Sequence, residues 1–337
     1  METRVQTVCL VLISTVLTGA ALYWLRPVMV PFVLALFITL GLRAGADFLE
    51  VRAKVPHRAA LGVTVAIGLF FLVGVGFVVT ASVDELSSKA SLYGDHVNAL
   101  LERGIAFLPE PLRDQQRAAL SDISMSRVGS MMLSTVLSIR NVLSNSFVVI
   151  VFVLFLLLGG GRGRRAQGMW GEAELRIKRY IATKAAISLA TGFLVGLTLT
   201  LLGVPLALVF GLFAFLLNFI PSVGSVVSTF LPLPVLIVSP EVSIEVAVAA
   251  ILVPAVIQMT IGNFLEPHIM GESLDLHPVT ILLSLILWYT LWGVIGAILS
   301  VPITVVVKIL CERFEGSRPL ADLLAGRMDA FVSAETA

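Results

Sequence analysis

Long apolar runs bounded by charge dominate the first third of the chain. Residues 5–25 lie between Arg4 and Arg26, residues 28–42 begin among Pro27 and Pro31, and residues 59–81 carry Gly62, Gly68, Gly74 and Gly76. About 20 apolar helical residues at 1.5 Å rise cross a bilayer core of roughly 30 Å. The first and third runs reach that length, and the second predicts a tilted or partial span. The first run ends in Tyr23-Trp24-Leu25-Arg26-Pro27 rather than a small-residue cleavage site. It therefore reads as a retained span with interfacial aromatics at its end. A fourth run, 141–158, passes into Gly159-Gly-Gly-Arg-Gly-Arg-Arg165.

Between the third and fourth runs the pattern changes. Residues 82–140 mix Asp84, Glu85, Lys89, Asp95, Glu102, Arg103 and further charges with Leu86, Ala90, Tyr93, Val97, Leu100, Leu101 and Ile105 at helical spacing. Pro109-Glu-Pro111 separates two such stretches. The spacing predicts an amphipathic helical insert in water, either a surface helix pair or an oligomer contact or rim over a pore.

The carboxyl half is different again. From 185 to 307 there is no Lys or Arg, and the acids are Glu241, Glu245, Glu266, Glu272 and Asp275. Breakers recur at Gly203-Val-Pro205, Pro221-Ser-Val-Gly224, Pro232, Pro234, Pro254, Trp292-Gly-Val-Ile-Gly296 and Pro302. Lipid cannot satisfy peptide groups freed by proline and glycine, so broken points belong inside protein or beside a wet cavity. Two hairpins are expected, one bent at 220–224 and one near 292–296. Interrupted segments of this kind point to a transporter binding site.

Composition agrees with this pattern. The 337 residues are 58% hydrophobic and only 13% charged, with net charge +1. That excludes disorder and any global attraction to nucleic acid. The fold class is all-α, a polytopic membrane protein of about eight spans. Its expected units are amino-terminal spans (1–81), the exterior insert (82–140), a fourth span with a basic amphipathic segment (141–184), a transport core (185–312) and a tail (313–337). Arg162, Arg164, Arg165, Arg176, Lys178, Arg179 and Lys184 make 159–184 strongly basic. The positive-inside rule then puts this loop, 43–58 and both termini in the cytoplasm, with the chain in the cell's plasma membrane. Cys9 and Cys311 cannot form a CxxC metal site or a disulfide scaffold. No GxSxG, catalytic Cys-His pair, phosphate loop or HExxH spacing occurs, so no enzyme activity, cofactor or metal is expected.

The carboxyl-half elements resemble a known family. Asn218-Phe-Ile-Pro-Ser-Val-Gly224 looks like its Ile-Pro-x-x-Gly element. Glu266-Pro-His-Ile-Met-Gly271, Leu274-Asp-Leu-His-Pro278, Trp292-Gly-Val-Ile-Gly-Ala297 and Val301-Pro302 look like its carboxyl-terminal signature. This is the autoinducer-2 exporter family, also called the PerM-type permeases, and the resemblance covers about residues 5–315. His268 stands where the family usually carries Arg or Lys, and Ser222 and Ser225 where Tyr and Pro are usual. The resemblance implies an eight-span, homo-oligomeric permease. Its members export the furanosyl signal autoinducer-2 or, in some cases, exchange sodium or lithium for protons.

The residues themselves nominate a pathway. Glu266, His268, Asp275 and His277 cluster within twelve positions and suit a gate or proton relay, or else an interfacial cytoplasmic loop. Gln258, Asn263 and Glu266 could continue one polar strip. Asn218, Ser222 and Ser225 are neutral hydrogen-bonding groups around the break at Pro221, fit for a small polyol or a dehydrated cation, with Gly211 and Gly224 letting backbone approach the solute. Gly203, Pro205, Gly271, Gly293, Gly296 and Pro302 are the expected hinges. Three functions remain open: export of a small polar solute by alternating access, cation/proton antiport, and a non-transporting scaffold that binds an envelope partner.

Overall fold

The computed structural model describes residues 2–106, 146–159, 169–270 and 276–327. These residues are helical and contain no strand. In chain order the helices are α1 (Glu2–Trp24), α2 (Arg26–Ala53), α3 (His57–Ala106), α4 (Ser146–Gly159), α5 (Met169–Leu201), α6 (Ala207–Leu217), α7 (Val223–Phe230), α8 (Leu233–Val238) and α9 (Ile244–Thr260). A π turn, Ile261–Leu265, links α9 to α10 (Glu266–Met270). α11 (Pro278–Arg313) and α12 (Arg318–Ala325) complete the described chain. Five helical stretches are long and apolar enough to cross a bilayer: Arg26–Ala53, His57–Ser82, Glu174–Leu201, Ile244–Ile269 and Pro278–Arg313. Their outward faces, and those of shorter apolar helices, carry side chains such as Phe70, Phe77, Phe155 and Leu201. Such a surface suits lipid, which removes the penalty that water would impose on it.

Several elements are longer than hydropathy alone predicts. α2 extends well beyond residue 42, because Pro31 sits early enough to disturb only the first turns and Lys54 ends the helix in a left-handed conformation at φ 53°. α3 continues for 50 residues with no break at residue 82. The third span and residues 82–106 of the expected insert are therefore one helix of about 75 Å. The second half of the basic segment lies in the first turns of α5. The Pro109–Pro111 turn and the second amphipathic stretch lie outside the described residues.

The breakers behave differently from one another. Gly203 (φ 68°) and Leu206 (φ 60°) form the turn between α5 and α6. α6 and α7 are the arms of a hairpin around Pro221, with Ser222 at φ 59°. Pro254 and Pro302 stay buried within continuous helix. α11 reverses at Gly293, whose φ 66° and ψ −147° are not helical. Leu285 and Ala297 pack together against Ile220, although a straight helix would separate them by about 18 Å. The hairpin tip of α6–α7 thus rests on both arms of the α11 hairpin.

α5 is the central element. Its buried side, Ile177, Tyr180, Lys184, Ile187, Ser188, Thr191, Val195 and Leu199, follows helical spacing. Tyr180 packs on Val301, Val305 and Ile309 of α11. Val195 and Leu199 join Phe210, Ala214, Val235, Leu236 and Ala250 in the largest core. The crossing of α5 and α6 is set by glycine. A Cβ at Gly192 would lie 2.7 Å from the Gly211 carbonyl, and one at Gly211 2.8 Å from the Gly196 Cα. Gly192-x-x-x-Gly196 is a small-residue motif of the kind that lets membrane helices touch backbone to backbone.

Candidate functional site

The site is built on the Tyr180–Thr191 face of α5. Lys184 and Ser188 are one turn apart there, and both are buried. Lys184 Nζ donates to Glu266 Oε1 across the interface with α10. The lysine side chain is 4% exposed and the glutamate 22%, so the pair sits at the edge of the protein interior with its cation enclosed. Asn218 Nδ2, at the end of α6, donates to Ser188 Oγ at 3.0 Å. A ladder of polar groups therefore runs from Glu266 through Lys184 and Ser188 to Asn218 and the bend at Pro221. Its one cation stands at the edge of a long stretch of chain without Lys or Arg.

A second polar cluster lies beside it. Gln258 Nε2 on α9 donates to Ser228 Oγ at 2.8 Å and Thr229 Oγ1 at 3.0 Å on α7. Its Oε1 is buried with no hydrogen-bond partner. An orphan acceptor of this kind costs roughly 1–3 kcal/mol. Ser222, Ser225 and Gly224 belong to the turn itself: Ser225 Oγ donates to the Ser222 carbonyl at 3.0 Å, and a Cβ on Gly224 would overlap the Leu217 carbonyl. Gly211 and Gly224 thus bring backbone against backbone.

The remaining candidates are scattered. Asn263, in the π turn, and His268 are exposed. Gly271 and Asp275 lie outside the described residues. His277 is exposed and caps α11, its Nδ1 accepting from Val279 N at 3.3 Å. Its own amide donates to the Leu324 carbonyl at 3.0 Å, which docks α12. At the α11 reversal, Trp292 Nε1 donates to the Leu22 carbonyl at 3.1 Å and ties the tip to α1. Gly296 lets the returning arm pass over the Trp288 carbonyl, where a Cβ would collide.

The two ends of the bundle differ. At the Lys184 end, Lys178 bridges to Asp47 at 3.3 Å, and His57 Nδ1 lies 3.0 Å from Glu50 Oε2. Asp47, Glu50 and His57 place ligand atoms within 4.8 Å of one another, but all three are exposed. Asp47 already faces the Lys178 ammonium, which competes with any cation there. At the other end an open pocket of about 350 Å³ is lined by Phe77 and Ser82 of α3, Thr200, the turn at Gly203–Leu206, and Glu241. Both expected hinges Gly203 and Pro205 line it.

Sequence reading missed Lys184, Ser188 and the Gly192–Gly196 pair. Lys184 read as the last charge of a basic loop; the usable signal was its place at i and i+4 with Ser188 on one helical face.

The same chain is similar to known transport proteins over nearly its whole length. A family model described as "AI-2E family transporter" matches residues 12–316. The AI-2 transport protein TqsA of Escherichia coli (strain K12) is 31% identical over 319 residues, covering 88% of this chain and 89% of that protein. The putative transport protein YhhT of the same strain is 28% identical over 337 residues, covering 94% and 93%. The putative transport protein MT0215 of Mycobacterium tuberculosis (strain CDC 1551 / Oshkosh) is 29% identical over 329 residues, covering 90% and 88%.

Proposed function

This chain belongs to the AI-2E transporter family, and on that premise we propose that it is a secondary permease exporting a small polar solute by alternating access, with the signal autoinducer-2 as first candidate. The observation that carries this reading is the ladder Glu266–Lys184–Ser188–Asn218 ending at a broken hairpin. Buried polar groups are costly in a bilayer protein, and their concentration along one helix face supports a route for a polar solute. The α6–α7 hairpin is the moving part, working against α1–α4 as scaffold. Its tip at Ile220 is held by apolar contact with α11, which can slide without breaking hydrogen bonds.

The pocket beside Gly203–Leu206 is the mouth at the far end. The basic end, with Arg43, Arg52, Lys54, Arg58 and Arg176, faces the cytoplasm by the positive-inside rule. Both termini are then cytoplasmic and the pocket faces outward, in the plasma membrane. The assembly is a homo-oligomer in the lipid bilayer, and the solute gradient or an ion gradient supplies the energy.

The Lys184–Glu266 contact favours a second reading, sodium(lithium)/proton antiport, since a half-buried carboxylate already paired with a cation can exchange one cation for another. Flux into vesicles separates the readings, with wild type beside Glu266→Gln and Asn218→Ala. Accumulation of autoinducer-2 that falls in both variants supports export. Sodium-driven proton flux lost in Glu266→Gln alone supports antiport. Neither flux, with residues 82–140 capturing an envelope protein, leaves a scaffold and defeats the permease reading.

A further inference from the structure

The π turn before Glu266 decides which residue faces Lys184. In a regular α-helix each residue advances by about 100°, so Glu266, eight positions after Gln258, would sit about 80° past it. Ala250, Pro254, Gln258 and Ile261 define the buried side of α9. An uninterrupted helix would therefore turn Glu266 away from that side. Leu265, seven positions on, would point within about 20° of Gln258. The π turn changes this. The Glu266 amide donates to the Ile261 carbonyl, five residues back. One π turn holds one extra residue and removes about 100° of rotation, which returns Glu266 to within about 20° of Gln258. The carboxylate then meets Lys184, and Leu265 is turned outward to 42% exposure.

Local chemistry explains why the wide turn forms here. Pro267 has no amide to give the Asn263 carbonyl, and its ring presses on that carbonyl in an α turn. Gly262 carries no side chain to lock either geometry, and a Cβ built there would meet no atom within 4 Å. The alternative register costs no lost contact at that residue.

From this geometry we infer that Ile261–Leu265 is a register switch: the π form seats Glu266 on Lys184, and conversion to α-helix swings Glu266 out and Leu265 in. The switch rests on the permease reading for its purpose, since it would make and break the link between α5 and α9–α10 during each cycle. Its existence can be tested apart from transport. In a Cys9→Ser/Cys311→Ser chain in phosphatidylethanolamine–phosphatidylglycerol vesicles, two pairs are compared with a short thiol-specific linker. Lys184→Cys/Glu266→Cys reports the π register and Lys184→Cys/Leu265→Cys the α register.

Both pairs are expected to cross-link. Deleting Gly262 removes the extra residue and leaves a regular helix with Glu266 still facing Lys184. The deletion should abolish the 184–265 cross-link, keep the 184–266 cross-link and lower autoinducer-2 flux more than tenfold in a chain with both site residues intact. Failure of 184–265 to react while 184–266 reacts overturns the inference. So does a folded Gly262-deleted protein that transports at the wild-type rate. If the deletion does not fold, the cross-link ratio in the undeleted chain decides. If wild type moves no autoinducer-2, the export reading fails while the cross-links still read the register.

Discussion

Removing one member of the Lys184–Glu266 pair should cost very different amounts depending on which is removed. Glu266→Gln leaves an ammonium that is 4% exposed facing a neutral amide. Stranding a buried charge typically costs about 3–5 kcal/mol, and the retained amide oxygen puts this variant near 3 kcal/mol. Lys184→Met leaves a carboxylate whose side chain is already 22% exposed and can turn to water, while the methionine fills the lysine's slot. That cost should be about 1 kcal/mol. The double variant removes both charges and should also stay near 1 kcal/mol, giving a coupling of about 3 kcal/mol where independent sites would add. At roughly 2 °C per kcal/mol, Glu266→Gln melts about 6 °C lower than wild type and the double variant recovers about 4 °C. The assay is thermal unfolding of detergent-solubilised protein, with all four chains side by side. Additive shifts, or equal shifts for the two single variants, would refute the claim that the lysine is enclosed and the glutamate is not.

Other substitutions test separate parts of the argument. Gly293→Ala should cost about 1–3 kcal/mol, because φ 66° with ψ −147° is a glycine conformation, and limited proteolysis at the α11 tip should rise. Ser222→Gly should raise the melting temperature by relieving a positive φ worth about 1 kcal/mol, and no gain would mean that the α6–α7 turn is unstrained. Gly192→Leu should cost at least about 1–3 kcal/mol by forcing α5 off α6, whereas Gly62→Ala, with nothing near its Cβ in helical backbone, should hold or raise stability by up to about 1 kcal/mol in the same melting assay. Gln258→Met loses two hydrogen bonds and also one orphan acceptor, so it should change stability by less than about 1 kcal/mol; a large loss would show that Oε1 is satisfied.

Membrane class and the breaks at 203–206, 220–224 and 293 were legible along the chain, whereas Pro254 and Pro302 read as breakers and lie in continuous helix. Apolar runs and breakers act through local physics: a long apolar helix prefers lipid wherever it sits, Pro221 has no amide to donate, and Gly293 adopts a positive φ that other residues resist. The same rules located Asn218, Gln258 and Glu266 as polar residues in apolar company. They could not say that α3 runs on through residue 82, because polarity changed there while helix propensity did not.

Which polar groups meet was settled by packing in three dimensions. Lys184 and Glu266 are 82 positions apart, and their contact depends on one extra residue in the turn before Glu266, while the packing of α5 on α6 depends on a glycine-thin crossing. The hairpin reversal at Gly293 likewise brings Leu285 beside Ala297, which no periodicity along a continuous helix would suggest. A one-residue change of helical phase moves a side chain by about 100°, and a glycine removes the spacer that keeps two helices apart. Both are small along the chain and large in space, which is why pairing at this site is a property of the folded protein.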